Sequence, residues 1–165
     1  MSNFITNIPY NNNYVVNFSE EAKRIASITG EEVQIFHIGS SAIPKMSGKG
    51  IVDILIVTKS DFQELNKKLI QSGLVPRENA GSESRIFYSD ESFESENVKF
   101  HYHLVRENTP DHLNPIKFRD YLIAHPETAE QYKNLKGKLA KRSKTSREYL
   151  DGKADFINNI ITKAK

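Results

Sequence analysis

The chain has 165 residues, with 23 Lys and Arg against 21 Asp and Glu, five His, no Cys and no Trp, and it is 38% hydrophobic. That length fits one domain over residues 1–165 and buries roughly 68–70% of the unfolded surface, which excludes wholesale disorder. The absence of Cys excludes disulfides, thiolate zinc sites and Cys nucleophiles, while the net charge of +2 favours no partner by itself.

Along the chain, the first thirteen residues combine neither a basic nor an apolar segment, so no secretory leader is expected. Ser19-Glu20-Glu21 predicts a helix start and Gly30 its end, because Ser caps, early acids suit the dipole and Gly terminates. Residues 33–38 predict a strand running into the small-residue turn Gly39-Ser40-Ser41. Residues 51–57 are apolar at nearly every position, the pattern of a central strand covered on both faces. That run is far too short to span a bilayer, and the expectation is a cytoplasmic protein that does not engage membranes.

A helix from Ser60 would place Phe62, Leu65, Leu69 and Ile70 on one side before Gly73 stops it. Two short strands follow at 74–77 and 85–89, then an acidic, Ser-rich hairpin tip at 90–97 and a strand at 98–105. The last third predicts helices over 113–124, 126–141 and 146–162, the second opening on Pro126. The order predicts an α/β (α+β) fold: a mixed sheet with a helical C-terminal cap. Charge is uneven along it. Residues 133–165 carry ten basic and three acidic side chains, against thirteen and eighteen before them. Such a stretch is either a solvated helix face or a surface for phosphate-bearing partners.

Three segments carry chemistry. In His37-Ile38-Gly39-Ser40-Ser41, backbone amides and a hydroxyl at the end of a strand can cradle phosphate. Ser47-Gly48-Lys49-Gly50 is not a P-loop, because position 43 is Ile and no Ser or Thr follows Lys49. Asp53 lies within an apolar strand, where a carboxylate is expensive unless paired, protonated or ligating a cation. Its partner is either a cation such as Lys49 or Arg119, or a ligand. Without a bound cation, burial would raise the Asp53 carboxyl pKa, and Asp53→Asn would leave stability unchanged or higher.

His101 and His103 are two apart on a strand and project from one face, so with Asp53 they form a donor set for Mg, Mn or Zn. Glu107 completes a cupin-like spacing, but the flanking glycines are missing and the helical last third does not suit an all-β barrel. His112 and His125 read as cap or surface histidines.

These segments together resemble the GrpB family, a branch of the nucleotidyltransferase superfamily. The resemblance runs from His37–Pro44 through Lys49 and Ile51-Val52-Asp53-Ile54 to His101 and His103. It continues in Phe118–Leu122, His125-Pro126-Glu127, Tyr132–Lys136 and Tyr149–Ile157. It implies a mixed sheet of the nucleotidyltransferase type, in which a Gly-Ser turn opens a helix and two acids on the next strand bind divalent metal. Gly39 and Ser40 match the turn and Asp53 the first acid, but position 55 is Leu where the second acid would stand. Lys45 also departs from the family, which usually has Gly after the Pro.

The implied protein holds phosphate at Gly39, Ser40 and Ser41, faces it with Lys49 and Arg119, and binds one divalent cation with Asp53, His101 and His103. It transfers a nucleotidyl group to a small acceptor, with His37 the candidate base. Phe118, Tyr121 and Leu122 would pack on the sheet and free Arg119 to reach Asp53 or a phosphate. The rivals are a non-catalytic nucleotide-binding module and an RNA-associated protein using Lys133, Lys136, Lys138, Lys141, Arg142, Lys144 and Arg147.

Overall fold

In the computed structural model, which describes residues 6–30, 33–89 and 99–164, the chain builds five strands and five helices. Helix α1 (Tyr14–Thr29) precedes strands β1 (Val33–Ile38) and β2 (Ile51–Thr58), which are joined through the turn Ser40–Ala42. Helix α2 (Phe62–Gln71), β3 (Val75–Pro76), β4 (Arg85–Ser89) and β5 (Lys99–Arg106) follow. Helices α3 (Pro110–Ala124), α4 (Pro126–Arg142) and α5 (Ser146–Lys163) form the C-terminal cap.

The sheet order is β1-β2-β5-β4-β3, with β2 and β5 parallel and every other neighbouring pair antiparallel. Side chains alternate between its faces. Val52, Ile54, Ile56, Tyr88, Tyr102 and Leu104 are fully buried in a cluster with Ile25 of α1 and Phe62, Leu65 and Leu69 of α2. On the opposite face, Leu55, Val57 and Val105 pack with Ile38 and Ile116 of α3. That cover stops short of Asp53. The strand expected to be covered on both faces is therefore covered fully on one and only over its second half on the other.

Local chemistry explains most boundaries. Asp61 caps α2 by accepting from the amides of Gln63 and Glu64. Gly30, at φ 82°, ends α1 as anticipated, but the helix begins at Tyr14, five residues before the Ser19 signal. Tyr14 is buried in the main core, and this packing outweighs the weak helix preference of Val15 and Val16. Ile70 is 43% exposed and lies off the buried side of α2. Phe118, Tyr121 and Leu122 pack within the cap against Ile43, Met46 and Tyr132, not onto the sheet. His112 is buried, and its Nδ1 accepts the Asn108 amide ahead of α3. The hairpin tip expected at 90–97 lies outside the described residues.

Candidate functional site

Register decides which side chains meet. Asp53 pairs with His101 across the parallel β2/β5 ladder, and Leu55 pairs with His103. All four project from the incompletely covered face. His103 Nε2 lies 3.3 Å and His101 Nδ1 3.5 Å from Asp53 Oδ1, and the Asp53 side chain is 25% exposed. Tyr102, between the histidines, points into the core on the other face and donates to Glu21 at 2.9 Å.

The carboxylate behaves differently from a lone buried acid. Burial pushes its pKa up, but hydrogen bonds from His101 and His103, with their charge, outweigh burial and hold it well below the usual carboxylate range. The raised pKa anticipated from burial alone is thus reversed, and the partners are the two histidines, not Lys49 or Arg119.

Gly39 completes this corner. Its φ of 72° lies in the left-handed region, and a Cβ there would come within 2.5 Å of Asp53 Oδ2. Only glycine lets the turn close against the carboxylate.

A cleft of about 400 Å³ opens over these groups, lined by Ser40, Lys49, Asp53, Arg85, Phe87, His101, His103, Tyr149 and Lys153 among others. Its cations are organised by the cap. The Lys49 and Lys153 ammoniums lie 4.8 and 4.5 Å from the centre of the Tyr149 ring. Lys153 is held down to about 8 by burial and then by the Lys49 charge, with Asp53 opposing. Burial also lowers Lys49, again opposed by Asp53. Gly152 lets α5 approach α4 closely, because a Cβ there would meet Leu139 at 2.5 Å. Arg85 donates to the Ala80 carbonyl at 3.0 Å and pairs with Asp111 at 3.7 Å, while its buried Nε–H meets no acceptor among the described residues.

Lys136 underpins the turn from outside the cleft. It is 1% exposed and donates to Ser40 Oγ at 2.7 Å and to the Ser47 carbonyl. Burial, with the charges of Lys153 and Lys133, lowers it to about 7. It ties α4 to the turn at Ser40 and to the loop at Ser47, and it is not an exposed member of a basic helix face.

Several anticipated residues lie elsewhere. His37 pairs with Ile54, so its ring points to the covered face, away from Asp53. There it stacks on Phe18 at 4.7 Å and meets Ser41 Oγ at 2.9 Å. Burial pulls it down to about 4, with Asp53 opposing and Arg119 reinforcing. Ser41 is buried in that contact, outside the cleft lining. Arg119 donates to the His37 carbonyl at 2.7 Å and to Asp120 at 2.7 Å. As β1 is the outer strand, Arg119 serves its backbone and does not line the cleft.

Lys153, Tyr149, Arg85 and Phe87 were not singled out as site residues by sequence reasoning, and Lys136 was named only as part of a basic surface for RNA. Only the segments Tyr132–Lys136 and Tyr149–Ile157 hinted at three of them. As the groups stand, both imidazoles address one carboxylate oxygen. Among the described residues, no three His, Asp or Glu side chains are grouped so as to hold a metal ion. The donor types themselves, one carboxylate and two imidazoles on one face, suit a divalent cation. No described helix is long and apolar enough to cross a membrane.

Comparison with known proteins bears on the family and the fold. The chain is 32% identical to the UPF0157 protein YqkA of Bacillus subtilis over 96% of its own length, but spans only 46% of YqkA. The crystal structure of the conserved protein GrpB from Enterococcus faecalis superposes with a TM-score of 0.83 at 26% identity, covering 96% of each chain. Cid1, in complex with its short product ApU, matches with a TM-score of 0.52 at 12% identity over 82% of this chain and 43% of Cid1. That likeness shows the fold alone: a mixed sheet of the nucleotidyltransferase type with a helical cap. The family described as GrpB protein matches residues 5–163, and the chain belongs to it.

Proposed function

We propose that the cleft over Asp53 binds the phosphates of a nucleotide and that the protein transfers a nucleotidyl group to a small acceptor. One observation carries this reading: Lys49, Lys153 and Arg85 converge with Asp53, His101 and His103 on a single cleft beside the Gly39–Ser40 turn. Lys153, whose charge is disfavoured by burial and then by the Lys49 ammonium, would be matched by the oxygens of an anionic ligand. Lys49 and Lys153 would face phosphate as point charges held against Tyr149, and the Ser40 hydroxyl would contact it from the turn.

Asp53, His101 and His103 would hold a divalent cation, Mg, Mn or Zn, which would supply neutralisation of phosphate charge. Leu55, fully buried beside His103, leaves this chain without the second strand acid of the superfamily pattern. Its own residues therefore contribute positioning and charge neutralisation, and no base is assigned.

A thermal-shift screen of ribonucleotides with Mg, Mn and Zn, on the parent and on Asp53→Asn, tests the reading. Stabilisation that needs nucleotide and metal together, lost in Asp53→Asn, is expected. Stabilisation by nucleotide alone would leave a binding module without transfer, and none by any pair would remove the cleft as a nucleotide site.

A further inference from the structure

On the far side of the 43–50 loop from the Asp53 cleft lies a larger groove of about 600 Å³, walled by Lys133, Lys138 and Lys141 of α4 and by Lys45. Lys45 and Ser47 line this groove, whereas Gly48 and Lys49 line the cleft, so one loop separates two cationic sites. Residues 7–10 close the opposite wall, pinned to the loop by paired hydrogen bonds between Ile8 and Gly48. Gly137 keeps the helix side open between the lysines.

No acidic side chain lines the groove among the described residues. Among the described residues, the ion pair at the groove is that of Lys133 with Glu130 at 3.8 Å. Lys45, Lys138 and Lys141 are exposed and form no ion pair among the described residues. Lys45 adopts φ 63°, a conformation in which a side chain is strained. A glycine would relax the turn there but would remove the Lys45 ammonium from the groove wall.

Two features select the ligand. Lys138 and Lys141 are three residues apart on α4, so their Cβ atoms stand about 5–6 Å from each other on one side of the helix and can face neighbouring phosphates of one strand. The groove shares Lys45 and Lys133 with a mainly apolar hollow of about 310 Å³, lined by Ile43, Met46, Leu122 and Ala129, with Glu130 at its wall beside Lys133. A ligand with a phosphate chain and apolar faces matches both parts, whereas inorganic polyphosphate matches only the first.

We infer that this groove binds the backbone of a single-stranded nucleic acid, independently of the Asp53 cleft. The contacts are to phosphate and base faces, so binding is indifferent to sequence.

The test is fluorescence anisotropy of a labelled 15-nucleotide oligouridine, which does not self-pair, at 50 and 200 mM salt. Three or four neutralised phosphates weaken binding about 20–50-fold across that range. Lys138→Glu with Lys141→Glu is expected to lose at least tenfold in affinity and to flatten the salt slope, while Asp53→Asn binds as the parent does. Lys45→Gly separates charge from folding: it is expected to weaken binding yet raise the melting temperature by about 2–4 °C as the strained turn relaxes. Salt-independent binding, undiminished binding by the double variant, loss in Asp53→Asn, or capture of inorganic polyphosphate but not oligouridine would each overturn the assignment.

Discussion

The two faces of the sheet use the same strands to opposite ends. On one, Val52, Ile54, Tyr102 and Leu104 are sealed beneath α1 and α2. On the other, one residue away in each strand, Asp53, His101 and His103 stand in an open cleft. Both faces carry a group whose pKa is depressed, for different reasons. His37 falls because burial disfavours its charge, whereas Asp53 falls despite burial because two imidazoles favour its charge. A polar residue in an apolar strand thus has no fixed meaning. The cover on its face, and its neighbours across the ladder, decide whether it is merely desolvated or partnered.

The largest break is expected at Gly39→Ala. The positive φ costs a Cβ about 1–2 kcal/mol, and forcing that Cβ against the Asp53 carboxylate adds about 1–3 kcal/mol. Urea unfolding should show the midpoint reduced accordingly at unchanged m-value. An alanine tolerated without loss would mean that the turn does not close on the carboxylate.

The depressed groups separate by pH. His37 binds its proton in the unfolded chain near pH 6.5 but in the folded chain only near 4. Its contribution is therefore complete above pH 6.5 and lost as pH falls from 6.5 towards 4, by roughly 3 kcal/mol in all. Denaturation curves from pH 7.5 to 4.5 should show this decline in the parent and not in His37→Gln. An identical decline in the variant would assign it to other groups.

Asp53 acts in a lower window. Its contribution is present above the ordinary carboxyl value of 3.8 and disappears only as pH falls below that towards its depressed folded value. Asp53→Asn should therefore destabilise the ligand-free protein by about 1–2 kcal/mol at pH 7, the range for hydrogen bonds to a charged group discounted for partial exposure. The difference from the parent should shrink below about pH 4. A stabilised variant at pH 7 would restore the picture of an unpartnered buried acid and overturn the histidine pairing.

The sequence was legible where local chemistry is decisive. The strands at 33–38 and 85–89, the helix opening near Ser60 and the Gly30 stop all depend on a few adjacent residues. The shared face of His101 and His103 follows from strand periodicity, and their meeting with Asp53 needed only that β2 and β5 be neighbours. The face of His37 was not legible, because it depends on the register of β1 against β2, which no residue in either strand announces. The burial of Lys136 beneath the turn and the place of Lys153 in the cleft were hidden for another reason. Lysine is seldom buried, and both reach the site only through the packing of α4 and α5 on the 40–49 loop.

The smallest effect tests the boundary between the two faces. Arg119 sits at the sheet edge, its guanidinium shared between the His37 carbonyl and Asp120 and its side chain 18% exposed. Lysine at this position keeps the charge but loses the planar fork that serves two acceptors at once. Arg119→Lys should cost about 0.5–1.5 kcal/mol, the contribution of an ordinary hydrogen bond. Because the guanidinium lies outside the cleft lining, nucleotide-dependent thermal shifts should be unchanged once corrected for the lower starting temperature. A variant of normal stability that had lost those shifts would place Arg119 among the phosphate contacts after all. The outer strand would then mark no division between backbone support and ligand binding, and the cleft would extend to the β1 edge.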